Sequence, residues 1–125
     1  MDDDIVRDHL EHPFHCGMPH DASCVWSKRN PACGDEVSLS LYIADNTIVE
    51  AWHQVRGCML CKASASILCE QLQGMPLDQA CAISDDHIIR WTGINISPGR
   101  RGCCVLSLWT LRELLLSYET SIEAE

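Results

Sequence analysis

The stretch EVSLSLYIADNTIVEAWHQV, residues 36–55, decides the fold class of this chain. In residues 36–43 apolar and polar side chains alternate, which is the period of a half-buried β-strand. Asp45 and Asn46 then favour a turn, and residues 47–55 are rich in the β-branched and aromatic side chains that strands prefer. The pattern therefore predicts an antiparallel hairpin.

Elements on both sides of this hairpin predict an α+β fold. Residues 24–27, CVWS, indicate a third, shorter strand, which makes the sheet an antiparallel meander. After Gly57 the alternation gives way to a helix-favouring run over residues 58–73, and Gly74 fits its end.

A helix is predicted for residues 5–10, a shorter one begins at Pro76, and another is predicted for residues 104–118. Residues 84–102, by contrast, indicate irregular structure. We expect one domain over residues 1–125, with a small three-stranded antiparallel sheet packed against several helices.

Charge and composition exclude several classes of protein. The chain has 125 residues and a net charge of −9, which argues against nucleic acid or a membrane as the main partner, because both reward basic surfaces. The first twenty residues contain no apolar run typical of a secretory signal or a membrane span. We therefore expect a cytoplasmic protein whose partners are a cationic metal or a basic protein surface.

The chain has nine cysteines, an odd number that cannot pair completely within one chain. In a reducing compartment such thiols bind metal, react or fill the core. Cys69 and Cys81 lie in apolar stretches, which favours core packing. By contrast, His53 and His87 are interpreted as surface or rim residues.

Three places in the chain put cysteine at a predicted structural transition. NPACGD, residues 30–35, places Cys33 and Asp35 two residues apart around a glycine that permits a tight bend. Cys58 follows a glycine at a predicted helix start, where the helix dipole favours thiolate. Three thiolates and one carboxylate suit zinc or iron. The predicted ligands are Cys33, Asp35, Cys58 and Cys104, the last of which is the first residue of the helix predicted for residues 104–118.

Two further cysteines stand next to these ligands, and two interpretations stay open for each. Cys61 lies one helical turn after Cys58, and Cys103 directly precedes Cys104. Each is either an additional ligand or persulfide relay, or a small packing residue. A second metal site is conceivable from the spacing of His15, Cys16, His20 and Cys24, but loop cysteines without a rigid frame make it the weaker hypothesis.

These ordered motifs resemble the iron–sulfur cluster assembly scaffolds of the IscU, SufU and NifU N-terminal family. The resemblance rests on NPACGD, on Gly57-Cys58 running into KASAS at residues 62–66, and on RGCC at residues 101–104 ahead of Trp109. HLEHP at residues 9–13 is also similar to the family's HxxxPxN opening.

The resemblance implies a SufE/NifU-like fold and a shared site. Cys33, Asp35, Cys58 and Cys104 match the ligands of a transient [2Fe–2S] cluster, or of zinc in its place. The implied partners are a cysteine desulfurase as sulfur donor and apo iron–sulfur proteins as acceptors, and a homo-oligomer is compatible with this role. Cys104 corresponds to the sulfur acceptor of scaffold members, and Cys33 to that of SufU-type members.

Three functions are consistent with these residues. The leading expectation is a non-enzymatic scaffold that assembles and passes on a cluster. The alternative is a zinc-dependent sulfurtransferase of the SufU type that activates its cysteine desulfurase. A purely structural zinc module is disfavoured, because closed structural sites prefer four Cys or His ligands over a carboxylate such as Asp35.

The chain departs from both named subfamilies. IscU-type members carry a histidine directly before the last cysteine, where this chain has Cys103. They also carry a Leu-Pro-Pro-Val-Lys motif upstream, where this chain has ISPGR at residues 96–100. The insertion typical of SufU members before their last cysteine is also missing. The resemblance therefore leaves the scaffold and sulfurtransferase roles both open.

Overall fold

The structure is a computed structural model that describes residues 4–123, and the side chains of residues 4–122. Its elements follow in chain order: α1 Asp4–Glu11, β1 Cys24–Arg29, β2 Glu36–Ala44, β3 Thr47–Arg56, α2 Met59–Leu72, α3 Leu77–Cys81, α4 Asp85–Thr92, a 3₁₀ turn Pro98–Arg100, and α5 Arg101–Glu123. The predicted α+β class is confirmed.

The three strands form one antiparallel sheet in the order β1–β2–β3. The β2–β3 turn consists of Asp45 and Asn46, whose φ angles of 53° and 58° are left-handed. Two consecutive left-handed residues give the hairpin turn that matches strand twist, and Asp and Asn tolerate it best among residues with a side chain. The predicted hairpin and the third strand are thus confirmed.

One face of the sheet packs against α2 and α5. The alternating residues Val37, Leu39 and Leu41 of β2 are fully buried there, as the period-2 pattern predicts. The same core contains apolar residues of both helices, among them Leu68, Leu72, Leu106, Leu108 and Leu111.

The prediction of irregular structure over residues 84–102 is wrong, because α4 and the first residues of α5 lie within it. Ser84 caps α4 in a capping box: its side chain accepts from the His87 amide at 3.3 Å, and the His87 ring accepts from the Ser84 amide at 2.9 Å. Gly93 closes the other end with a φ of 73°. These caps stabilise a helix too short to show a clear apolar period.

Residues between α1 and β1 cover part of the other face of the sheet. The His15 ring stacks on the Trp52 ring with centroids 4.3 Å apart, and the Tyr42 hydroxyl donates to Asp21. The adjacent residue, His53, alternates to the inner face opposite Leu39 and is only 2 % exposed. The prediction of a rim position for His53 is therefore wrong.

The two cysteines predicted to pack in the core behave differently. Cys69, in the middle of α2, is fully buried, as predicted. Cys81 is exposed, because it is the last residue of the short α3 and its helix ends before the side chain can turn inward. None of the helices within residues 4–123 has the length and apolar character needed to cross a membrane.

Candidate metal centre

The loop between β1 and β2 is organised by Asn30. Its carbonyl accepts from the amides of Cys33 at 3.3 Å and Gly34 at 2.7 Å, and its own amide donates to the Asp35 carbonyl at 2.8 Å. Its side-chain oxygen also accepts from the Ala32 amide at 3.0 Å. Gly34 adopts a φ of +80°, which a residue with a side chain would resist. The loop therefore presents Cys33 and Asp35 from a closed, hydrogen-bonded turn.

The start of α2 lies directly against the Asp35 carboxyl group. The Asp35 Oδ2 atom accepts from the Cys58 amide at 3.5 Å. A Cβ placed on Gly57 would lie 2.6 Å from Asp35 Cγ, a separation that real structures do not tolerate. Gly57 is thus a cradle for the carboxyl group, and the sequence signal for it is the glycine directly before Cys58.

Cys58 caps α2 through its own side chain. Its Sγ accepts a hydrogen bond from the Cys61 amide at 3.4 Å. This N-cap position confirms the predicted helix boundary, and it places the Cys58 sulfur among the unpaired amides of a helix N-terminus.

The start of α5 approaches the same loop from the other side. A Cβ on Gly102 would lie 3.2 Å from the Asn30 Nδ2 atom, so the helix and the loop are in close contact. This contact positions the next residue, Cys103, whose side chain is half-buried.

Three potential ligands converge between these elements. The Sγ atoms of Cys33 and Cys103 and a carboxylate oxygen of Asp35 all lie within 4.8 Å of one another. The Cys58 thiol is close enough to Cys103 to raise the pKa of that thiol, and so adjoins the group. Over residues 4–122 this is the single cluster of three or more such side chains, so His15, Cys16, His20 and Cys24 do not form a second one.

Cys104, the predicted fourth ligand, is not brought into this cluster. It is fully buried, and its Sγ accepts from the Ser64 hydroxyl at 3.6 Å. Burial raises the pKa of the Cys104 thiol, although the Ser64 hydrogen bond and the Arg101 charge oppose that effect. The sequence contains a signal for this burial, because Cys104 lies on the same apolar stripe at helical spacing as Leu108, Leu111 and Leu115.

Electrostatics within the cluster favour a bound cation. The pKa of Cys103 is raised to about 12 by burial, by its hydrogen bond with Cys58, and by the charges of Cys58, Cys33 and Asp35. These groups cannot all ionise close together without a compensating positive charge. Three sulfurs and one carboxylate match zinc or iron in both number and chemical type, and the Gly57 cradle holds the carboxylate in place.

Cys61 lies directly behind the cluster. It is fully buried, and its pKa is raised by burial and, next, by the charges of Asp35 and Cys58, followed by those of Cys103 and Cys33. Its side chain is therefore within electrostatic reach of every member of the cluster.

Comparison with known proteins places this arrangement in a family. The family model described as the NifU-like N terminal domain matches residues 1–124. The chain belongs to this family. The Cys/Asp cluster is therefore a feature of a NifU-like N-terminal domain in which the α5 thiol comes from Cys103.

Two relatives of this NifU-like chain differ in the role that their names state. It is 30% identical over 124 residues to the iron–sulfur cluster assembly scaffold protein IscU of Escherichia coli K12, covering 96% of this chain and 95% of that one. It is 29% identical over 80 residues to the zinc-dependent sulfurtransferase SufU of Bacillus subtilis, covering 64% of this chain and 54% of that one.

A solved structure of a related protein shows the same fold. The N-terminal part of a nitrogen-fixing NifU-like protein from Brucella abortus matches with a TM-score of 0.79. The match covers 93% of this chain and 92% of that one at 16% sequence identity. The shared architecture therefore persists at low identity.

Proposed function

We propose that this chain is an iron–sulfur cluster assembly scaffold, which accepts sulfur from a cysteine desulfurase, binds iron, and transfers a [2Fe–2S] cluster to apo-proteins. The observation that carries the proposal is the convergence of Cys33, Asp35 and Cys103 within 4.8 Å. The relative named as an assembly scaffold, matched over nearly its whole length, supports it.

Cys33 is the best-placed thiol to receive sulfur. It is exposed at the tip of the β1–β2 loop, where a partner's persulfide can reach it. Cys104, the other predicted acceptor, is fully buried beneath Ser64. Sulfur transfer requires direct contact between two sulfur atoms, so exposure decides between them.

The ligand set that we propose for iron or zinc is Cys33, Asp35, Cys58 and Cys103. In this set Cys103 replaces its neighbour Cys104, which the sequence predicts as the ligand. Cys58 is the fourth donor, because its thiol adjoins Cys103 and its amide donates to the Asp35 carboxylate at 3.5 Å. Four donors of this kind complete a tetrahedral site.

Asp35 gives the site the lability that a donor of clusters needs. A carboxylate is a harder ligand than thiolate and holds iron in a sulfur-rich site less tightly than a fourth cysteine would. We expect the Asp35→Cys variant to release a bound cluster more slowly to an apo-ferredoxin. Unchanged transfer kinetics in that variant would exclude this role for Asp35.

A zinc-dependent sulfurtransferase is the second candidate function. The relative of that name in Bacillus subtilis supports it, and the same four donors suit zinc. In this role zinc organises the thiols, Cys33 takes sulfur from the desulfurase, and no cluster is built.

Anaerobic reconstitution separates the two candidates. The protein is incubated with ferrous iron, cysteine and a cysteine desulfurase, and visible absorption and metal content are followed. The comparison includes Cys58→Ala and, as a matched control from the same helix, Cys69→Ala, which removes a thiol buried away from the cluster.

The scaffold proposal predicts a cluster in wild type and Cys69→Ala, little or none in Cys58→Ala, and transfer to an apo-ferredoxin. Stoichiometric zinc that iron does not replace, with faster desulfurase turnover and no cluster, would instead establish the sulfurtransferase.

A further inference from the structure

The start of α2 carries a pair of cysteines with a second chemical capacity. Cys58 and Cys61 form a C-x-x-C motif at the N-terminus of a helix. The Cys58 sulfur accepts from the Cys61 amide at 3.4 Å, so the pair already adopts a closed local geometry. Side chains three residues apart on a helix are about 5–6 Å apart at Cβ. A disulfide needs about 3.5–4.5 Å at Cβ, so the Cys58–Cys61 bond requires a small movement of the N-cap residue Cys58.

The positions of the thiols indicate a division of labour. Cys33, Asp35 and Cys103 converge without Cys58, whose sulfur instead accepts from the Cys61 amide. Cys61 is fully buried, so the sulfur atom that it reaches most directly is that of Cys58 rather than one on a partner protein. Buried and paired in this way, Cys61 is placed to react within the chain.

We propose that Cys58 and Cys61 act as a dithiol that reduces sulfane sulfur to sulfide. The inference rests on the proposed function, in which sulfur arrives in the persulfide oxidation state, whereas the bridging atoms of a [2Fe–2S] cluster are sulfide. Two electrons must therefore be supplied for each sulfur atom.

In each turnover the Cys58–Cys61 dithiol supplies the two electrons. Persulfide on Cys33 passes its outer sulfur to Cys58, which leaves Cys33 as a thiol and Cys58 as Cys58–S–SH. The Cys61 sulfur then attacks the inner sulfur of this persulfide. The Cys58–Cys61 bond forms, the bond to the outer sulfur breaks, and hydrosulfide leaves with the Cys61 proton as hydrogen sulfide.

In this second step the two thiol sulfurs are oxidised to a disulfide and the sulfane sulfur gains two electrons. One sulfide is produced for each dithiol. A small thiol reductant, of the glutathione class, then restores both thiols by exchange before the next cycle.

The test uses the full-length, reduced, metal-free protein loaded with glutathione persulfide, so that no desulfurase is required. Excess reagent is removed anaerobically, and released sulfide and retained persulfide are measured. Trypsin cleavage after Arg56 and Lys62 gives the peptide GCMLCK, residues 57–62, which contains both cysteines. A disulfide between them appears as the loss of two hydrogens within one peptide.

We expect wild type and Cys69→Ser to release sulfide and to contain the disulfide within residues 57–62. Cys61→Ser and Cys61→Ala should release about tenfold less sulfide and retain persulfide, because no resolving thiol is present. Two variants are used because a buried serine alone could disturb folding, and circular dichroism checks both.

Equal sulfide release by the Cys61 variants would overturn the inference and leave Cys61 as a packing residue or extra ligand. Sulfide release accompanied by a Cys58–Cys103 disulfide, with residues 57–62 uncrosslinked, would overturn it as well. Failure of a cysteine desulfurase to load the wild-type chain would count against the proposed function and is measured separately.

Discussion

Two clusters of polar side chains, at different points along α2, differ in whether the protein itself supplies partners for their polar groups. The first region, which we propose binds metal and call the metal pole, consists of Cys33, Asp35 and Cys103 with the adjoining Cys58, and its donors have too few partners among themselves. The Ser66 junction lies two turns further along the helix, where the Ser66 oxygen accepts from the Phe14 amide and pairs with the His9 ring, both at 2.7 Å.

The difference separates a structural polar cluster from a functional one. At the Ser66 junction every hydrogen bond is made within the protein, so the cluster ties the N-terminal segment to α2 and needs nothing further. At the metal pole the thiols and the carboxylate repel each other when ionised, and either a retained proton or a bound cation relieves this repulsion. Mutations should therefore change metal affinity at one region and stability at the other.

The largest effect is expected for Gly57→Ala at the metal pole. The added methyl group would overlap Asp35 Cγ at 2.6 Å and displace the carboxylate. Loss of ligand orientation should weaken zinc binding by about 10–100-fold, as disturbed supporting contacts do at other metal sites. Competition with a chelator measures the affinity.

Gly99→Ala is the matched control for this substitution, because a Cβ there meets nothing within 4 Å. Zinc affinity in Gly57→Ala equal to that of the control would show that Asp35 does not contribute to binding.

The next effect is expected for Ser66→Ala, which should reduce stability without changing zinc affinity. The substitution leaves the Phe14 amide and the His9 ring without their shared partner, at a cost of about 1–3 kcal/mol. Urea denaturation gives the free energy of unfolding, with Ser117→Ala on the exposed side of α5 as control. A loss of zinc affinity together with stability would mean that the two regions are not independent.

A smaller effect is expected for Asn30→Ala, which affects how the loop is held rather than its ligands. It removes the side-chain bond to the Ala32 amide but leaves the backbone bonds of the turn. We expect a loss of about 1 kcal/mol in stability and slower zinc uptake into a less ordered site. A stopped-flow measurement with a zinc indicator tests this, and unchanged uptake would assign loop order to the backbone alone.

The smallest expected effect is on the pH dependence of stability, through a histidine near the Ser66 junction. Burial lowers the pKa of His53 below 6.5, the nearby Phe14 backbone opposes the shift, and the His9 and His15 charges lower the pKa further. The unfolded chain therefore binds this proton more readily than the folded protein does. His53 thus contributes stability that is fully present above pH 6.5 and is lost as the pH falls below that value towards the pKa of the folded state.

His53→Gln should flatten this acid-side loss, whereas His12→Gln, at an exposed position, should not. Urea midpoints between about pH 5 and 7.5 measure the slopes. The same slope in all three proteins would assign the acid sensitivity to other groups.

The sequence alone predicts the sheet well, because its signals are local. Alternation in residues 36–43 and the Asp45-Asn46 turn determine which residues face the core, and the structure confirms both. α4 was missed because its stability comes from caps at Ser84 and Gly93 rather than from a long apolar period.

The structure brings together the segments predicted to form the candidate site, but it places Cys103 rather than Cys104 beside Cys33 and Asp35. NPACGD, Gly57-Cys58 and Gly102-Cys103 mark the three segments that meet, since each combines a thiol with a glycine. Adjacent helical residues point about 100° apart, so only one of Cys103 and Cys104 can face the loop. Which one does depends on where α5 begins, and it begins at Arg101, three residues earlier than the predicted start.

The most direct test of this account is cobalt binding by Cys103→Ser and Cys104→Ser. Cobalt(II) occupies zinc-type sites, and its thiolate charge-transfer absorption reports how many sulfurs bind it. The account predicts that Cys103→Ser loses part of this absorption and binds cobalt more weakly, whereas Cys104→Ser keeps the wild-type spectrum. Loss of the absorption in Cys104→Ser, with a wild-type spectrum in Cys103→Ser, would contradict it.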